Sequence, residues 1–426
     1  MMDFRLQAPP AVRWIVATLE KVGHETWAVG GAVRDAAAGL PGGDWDLATH
    51  ARPREVRRIF KRTVPLGVEH GTVGVLADDG KMYEVTTFRR DVETDGRHAV
   101  VEFAETIHED LARRDFTINA VAWHPLREKL LDPYHGLADL RAGVLRTVGD
   151  PRERFAEDYL RILRAFRFAG RFSLEIEATT WAAIVGAVDH LCSLSAERIR
   201  DELLKVLADD PRPSRVLEMY RESGALAVLY PEVAAAATEG GGAGWRKRLT
   251  VVDALPLGEP FLRLAALLRG LPAEDAARVL VRLRLSNAQT DRVAHLASAP
   301  PTPGPDAEDE EIRRWLSAVG RDHVRGVLRL DLAAARAGVG APPREAVAAC
   351  RAVRRVMAAR PPLAVPDLKL DGRDLIRMGL KPGPRFGELL EELLDLVLED
   401  PSLNRKEILE AEVRRRVGEA EEGGTR

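Results

Sequence analysis

The run Trp27-Ala28-Val29-Gly30-Gly31-Ala32-Val33-Arg34-Asp35, with Asp44-Trp45-Asp46-Leu47-Ala48-Thr49 following it, restricts the fold more than any other part of the chain. Trp27 to Val29 is an apolar run that fits a buried strand. Gly30-Gly31 lets the backbone turn sharply and approach a ligand without a Cβ in the way. The next residues open a helix, whose free N–H groups favour an anion such as a phosphate. Asp44 and Asp46 flank Trp45, and on a strand residues two apart share a face. Two carboxylates held that close are costly without a cation between them. A hard divalent ion bound by carboxylates and phosphate oxygens satisfies them, and Mg²⁺ suits this best. The competing reading is a surface turn with two solvated aspartates; Gly-Gly-x-x-Arg-Asp just upstream weighs against it.

The spacing of apolar residues around this stretch gives an α/β pattern. Val12, Ile15, Leu19 and Val22 predict a helix over Ala11 to Val22, and Val56, Ile59 and Phe60 another over Arg54 to Lys61. Val73 to Ala77 and Lys81 to Phe88 flank Asp78-Asp79-Gly80, a hairpin signal. On the second strand Glu84, Thr86 and Phe88 share a face. Glu84 is a third carboxylate if that strand lies beside Asp44 and Asp46, and otherwise a paired edge charge. Arg90 to Val101 is polar and predicts a mobile loop. In Glu109 to Ala120 the adjacent Arg113 and Arg114 suit phosphate or carboxylate, although the same residues describe a salt-bridged helix start.

Asp150 is a good N-cap and Pro151 a good first helical residue. One helix continuing through Phe168 places Phe155, Tyr159, Ile162, Leu163 and Phe166 on one side, with Arg154, Glu157, Asp158, Arg161 and Arg164 on the other. The polar side can hydrogen-bond a nucleobase edge, arginine to acceptors and aspartate to an exocyclic amine. It can equally be a ladder of ion pairs three and four residues apart. Beyond residue 175 the pattern is helical. Ser195 is a cap, Pro231 to Gly244 predicts a surface loop, and Ala299 to Pro305 and Pro361 to Pro366 are breaks. A long helix runs from Pro384 to Leu398, and disorder is expected over Glu419 to Arg426.

The chain has 426 residues, room for two to four domains. Its net charge is −3, so contact with nucleic acid rests on local patches such as Arg113-Arg114, Arg161 to Arg171 and Arg414 to Arg416. Cys192 and Cys350 are too far apart for a zinc-type spacing or a disulfide framework. Met1 to Pro10 lacks a targeting signature, and no apolar run reaches about 18 residues. A cytoplasmic location and no membrane partner are expected.

Five motifs in order resemble the class II tRNA nucleotidyltransferase and bacterial poly(A) polymerase family. They are Gly30 to Asp35 with Asp44-Trp45-Asp46, Glu84 to Arg89, Arg113 to Ala120, Arg146 to Asp150, and Glu157-Asp158-x-x-Arg161. The resemblance covers nearly the whole chain and implies an α+β protein. A nucleotidyltransferase head with a small mixed sheet (1–150) is followed by an all-helical neck (151–215), body (216–360) and tail (361–426). It implies that Asp44 and Asp46 hold Mg²⁺; Glu84 joins them as a catalytic carboxylate if its strand lies alongside. Gly30, Gly31 and Arg34 then contact the triphosphate, and Arg114, Arg164 and Arg167 contact phosphate or sugar. Asp158 and Arg161, with Glu157 beside them, read the Watson–Crick edge of CTP or ATP. The tRNA 3′-hydroxyl attacks the α-phosphate and pyrophosphate leaves, in a two-metal scheme, by a monomer or homodimer.

Several products fit such a site: CCA, CC only, A only, or poly(A). Residues 57 to 75 look like the tRNA-repair members. Arg90 to Val101 resembles the flexible loop of CCA- and A-adding members, keeping Asp95-Gly96-Arg97-His98 but with Ala99 in place of a proline common there. Leu264 to Leu271 lacks the His-Asp pair of relatives with phosphohydrolase activity, so none is expected. A small-molecule nucleotidyltransferase and a non-catalytic RNA-binding protein are the readings from other classes. The long helical half weighs against the first and the paired aspartates against the second.

Overall fold

The computed structural model describes residues 6–40, 44–67, 71–94 and 99–423. The chain divides into two compact units, residues 1–235 with 282–284, and residues 236–281 with 285–426.

The first unit begins with helix α1 (Pro10–Lys21), strand β1 (Thr26–Val29), α2 (Gly31–Ala37), β2 (Asp46–Thr49) and α3 (Pro53–Ile59). Strands β3 (Thr63–Pro65), β4 (Thr72–Leu76) and β5 (Met82–Thr87) follow. The predicted hairpin is β4–β5. The seven-stranded mixed sheet runs β3-β4-β5-β2-β1-β8-β9, with β8 (Ala122–His124) and β9 (Lys129–Leu131) closing one edge. Period-two alternation gives both faces a core. Ala28, Leu47, Val73 and Val85 pack with Val12, Ile15 and Leu19 of α1 and Val56 of α3. Trp27, Val29, Ala48 and Ala122 pack with Phe88, Ile107 and Leu111 on the other side.

Register matters most for function. β1 and β2 are antiparallel with Val29 opposite Asp46, so the Gly30-Gly31 turn lies beside the start of β2. β2 and β5 are parallel with Leu47 level with Val85, which brings Glu84 to the same end of the sheet.

Four local expectations are corrected. Asp44 precedes β2 instead of lying on it. Residues 90–94 and 99–101, expected within a mobile loop, lie in strands: β6 (Arg89–Thr94) and β7 (Ala99–Phe103) pair antiparallel. Backbone pairing does not need the apolar periodicity whose lack suggested a loop. Asp95 to His98 lies outside the described residues, as do Val68 to His70 of the tRNA-repair segment. Pro231–Thr238 and Ala243–Ala254 are helices, with only a tight turn at Glu239–Gly242; the abundant alanines favour helix. The last helix runs to Gly423, through most of the end expected to be disordered.

After α4 (Ile107–Ala112) come α5 (Gly136–Ala142), β10 (Val144–Leu145) and α6 (Pro151–Glu157). Asp150 caps α6, accepting from the Arg152 N–H at 2.8 Å, with Pro151 first in the helix. The expected continuous helix then breaks. Asp158 is extended (φ −157°, ψ 106°), and α7 (Leu160–Arg171) starts afresh. The break follows from the aspartate, whose Oδ1 accepts the Leu160 N–H at 3.0 Å in place of a helical bond. Phe155, Ile162, Leu163 and Phe166 are buried as expected, and Phe166 packs on Tyr220 at 5.1 Å. A two-residue strand β11 (Glu175–Ile176) pairs with β10, and α8 (Ala178–Ala187) and α9 (Ala196–Asp209) follow. Ser195 caps α9. The second unit is helical throughout its described residues, with breaks around 299–308 and 359–371. No described helix is long and apolar enough to cross a membrane.

Candidate active site

A cleft of about 480 Å³ opens where β1 and β2 meet α4, α7 and α9. Its walls include Gly30, Gly31, Arg34, Asp46, Glu84, Arg114, Asp158, Arg161 and Arg164, all named from sequence. Asp44, Glu157 and Arg167 stand behind or beside the walls.

At the sheet end Gly30 adopts φ 67°, and a Cβ there would lie 3.1 Å from the Arg114 guanidinium. A side chain would therefore be strained and would also crowd an arginine. Asp46 is half-buried. Burial first, then the Glu84 carboxylate, pushes its carboxyl up to about 6; Asp44 adds to the rise while Arg114 and Arg34 oppose it. Among the described residues, no hydrogen bond or ion pair reaches the carboxylate of Asp46 or Glu84. A half-buried carboxylate facing like charges is the donor set a hard cation needs. Among the described residues no three His, Cys, Asp or Glu side chains form a metal cage. A hard divalent ion does not require one, because it is commonly held by one or two carboxylates with substrate phosphates.

The opposite wall is built of paired arginines. Arg34 is buried, donates to Asp35 at 2.7 and 2.9 Å and to Asn119, and stacks on Phe168 and Phe172 at 5.0 and 4.6 Å. Burial lowers its pKa. Arg114 donates to Asp110 at 2.9 Å and to the Asn119 carbonyl at 3.2 Å. Arg164 pairs with Asp115 at 2.7 Å. Burial pushes the Asp115 carboxyl up, but Arg164, Asn119 and Arg161 outweigh it and hold it at about 2. Arg161 donates to Glu157 at 2.5 Å and to the carbonyls of Arg154 and Arg113 at 3.2 Å. Asp158 meets Arg198 at 2.6 Å. Arg167 binds the buried Glu202 at 2.6 Å and stacks on Phe168 at 4.3 Å. So the acidic and basic residues expected on one helical face resolve partly into pairs reaching across elements, Arg164–Asp115 and Asp158–Arg198, and partly into the local pairs Arg154–Glu157 and Glu157–Arg161.

Sequence reasoning did not assign Asp110, Asp115, Asn119 or Arg198 a place here. The first three sit inside the Arg113 to Ala120 motif or just ahead of it, which was a usable signal. Arg198 lies forty residues from Asp158, and nothing local marks it.

Residues 26–146 match the family described as the poly(A) polymerase head domain, and residues 173–237 match the probable RNA and SrmB-binding site of polymerase A. The class is thus a poly(A)-polymerase-type nucleotidyltransferase. A CCA-adding enzyme of Lactobacillus delbrueckii subsp. bulgaricus is 34% identical over 391 residues, spanning 90% of this chain and 92% of that one. One from Geobacillus kaustophilus is 35% identical over 402 residues, 92% and 93% of the two chains. The crystal structure of the Bacillus stearothermophilus CCA-adding enzyme in complex with CTP superposes with a TM-score of 0.77 at 32% identity, covering 97% of this chain and all of that one. The chain belongs to the CCA-adding enzyme family. Enzymes of this family depend on a metal ion.

Proposed function

We propose that this chain builds or repairs the 3′-terminal CCA of tRNA from CTP and ATP, releasing pyrophosphate, in the cytoplasm and with magnesium as its metal. The observation that carries the reading is the cleft itself: carboxylates without an ion-pair partner among the described residues lie at one end, with arginines and an aspartate able to grip a triphosphate and a base around them.

Asp44 and Asp46 are the residues that would hold the metal, with Glu84 beside them. A hard divalent ion bound there supplies Lewis-acid charge to the reacting phosphate. Gly30 and Gly31 let the triphosphate approach the backbone. Arg34, Arg114 and Arg164 add positive charge where negative charge builds as the RNA 3′-oxygen bonds to the α-phosphorus and the bond to pyrophosphate breaks. Arg167 supports that wall through Phe168. Asp158 accepts from the exocyclic amine of cytosine or adenine, and Arg161, fixed by Glu157, donates to the neighbouring ring nitrogen. Transfer of this kind asks mainly for positioning and charge, and the site supplies both. Residues 1–150 serve as catalytic head, 151–215 as base-reading neck, 216–360 as body and 361–426 as tail gripping tRNA.

Three tRNA transcripts, ending before CCA, after C and after CC, test the reading. Incubated with Mg²⁺ and CTP, ATP or both, each should be completed to CCA at single-nucleotide resolution. Extension of the CC-ending transcript alone would mark an A-adding enzyme, a stop at CC its complement, and long A tracts a poly(A) polymerase.

A further inference from the structure

The two base-reading candidates are anchored to different parts of the unit. Arg161 is tied to Glu157 and to the main chain of Arg154 and Arg113. Asp158, extended at the break between α6 and α7, has Oδ1 on the Leu160 N–H and Oδ2 on Arg198 of α9 at 2.6 Å. The Arg198 side chain is one-quarter exposed and lines the cleft. Arg164 is a further cation whose charge interacts with Asp158. We propose that Arg198 is a positioning residue for nucleotide selection, aiming the Asp158 carboxylate so that it accepts an amine and repels a carbonyl. This rests on the reading of Asp158 as a base contact.

The chemistry is specific. A carboxylate only accepts hydrogen bonds. Cytosine and adenine present an amine where uracil and guanine present a carbonyl. A carboxylate fixed by a guanidinium therefore discriminates against UTP and GTP. A carboxylate released from it can rotate away, and its repulsion of a carbonyl is lost with the alignment. Selection then depends on a residue that need not touch the base.

The test uses the full chain, an acceptor transcript that it extends, and kcat/KM for each of the four nucleoside triphosphates. Arg198→Ala should raise UTP relative to CTP, and GTP relative to ATP, by about tenfold to a hundredfold, the scale of one base contact. Arg198→Lys should restore most of the discrimination by keeping a cation beside Asp158. Asp158→Ala should lose discrimination too, and adding Arg198→Ala to it should cause no further loss. Unchanged selectivity in Asp158→Ala would overturn the base-contact reading and the proposal with it. Lost selectivity in Asp158→Ala with none lost in Arg198→Ala would overturn the proposal alone, as would a further loss in the double variant.

Discussion

The two ends of the cleft are built on opposite electrostatic terms. At the sheet end Asp46 and Glu84 face one another without a counter-ion among the described residues, and the Asp46 carboxyl is raised to about 6. Across the cleft Arg34, Arg114, Arg161 and Arg164 each lie against a carboxylate, Asp35, Asp110, Glu157 and Asp115 in turn. The sheet end is complete only with a ligand, because folding brings like charges together and leaves the repulsion in place. The arginine wall is complete on folding. Its geometry precedes any nucleotide, which is the condition for electrostatic stabilisation without reorganisation. One end therefore trades stability for binding, while the other uses the same pairs for both.

Asp46→Asn probes that difference most strongly. Transfer should fall by about a thousandfold, the scale of removing one preorganised electrostatic group, while tRNA binding persists. Thermal stability in the absence of metal should hold or rise, since the substitution removes a repelling charge. Single-turnover extension and calorimetry check both halves. A variant that loses activity and melts earlier would show that Asp46 serves the fold in the same way as the arginine partners.

Metal and pH give the next largest effect. The folded-state pKa of Asp46 lies above its ordinary value near 4. Its ionisation thus costs stability as pH rises from about 4 to about 6, and below about 6 the neutral acid predominates and ligates a cation poorly. Mg²⁺ should raise the melting temperature more at pH 7.5 than at pH 5.5, and its affinity should fall about tenfold per unit below pH 6. Thermal shift at several Mg²⁺ concentrations checks this. An equal shift at both pH values would place the metal elsewhere.

Asp115→Asn should do the reverse of Asp46→Asn. It removes the partner of Arg164, which is one-third exposed, so the loss of stability should be about 2 kcal/mol rather than that of a fully buried pair. Asp115 is depressed to about 2, so its contribution is full above the unfolded pKa near 4 and is lost as pH falls from there toward 2. The variant's acid unfolding should lack that component, and its KM for CTP should rise. Denaturant unfolding across pH 2 to 5 measures the first and steady-state kinetics the second.

Much of the sheet end was legible in sequence because it is local. Trp27 to Val29, the glycine turn and Asp46 lie within twenty residues, and alternation reports which face a strand residue occupies. Alternation does not report which strand is the neighbour, so Glu84 could be offered only conditionally until the parallel β2–β5 register placed it. The arginine wall was legible as residue types and not as pairs. Arg34 reaches Asn119 and Arg164 reaches Asp115 over long sequence separations, and a helical wheel drawn through Asp158 assumes a continuity that its own side chain breaks. The β6–β7 hairpin was missed because its polar residues carry no core-forming period.

Arg167 is the member of the wall on which the comparison turns most finely. Sequence placed it with the nucleotide-binding arginines, yet its guanidinium lies on Glu202 and behind the cleft residue Phe168 and does not itself line the cleft. Burial raises the Glu202 carboxyl, and Arg167, Lys205 and Arg164 more than offset that to hold it below its ordinary value. If Arg167 acts only as a prop for Phe168, on which it stacks at 4.3 Å, then Glu202→Gln should cost about 1–3 kcal/mol of stability, the range for a buried polar group losing a charged partner. The KM for CTP and ATP should then change less than about threefold, well short of the 1.4 kcal/mol that a tenfold change represents. Parallel melting curves and kinetics on Glu202→Gln and Asp115→Asn decide the point. A KM that rises as far in the first as in the second would make Arg167 a nucleotide ligand, and the wall would extend one helical turn further along α7 than the cleft itself does.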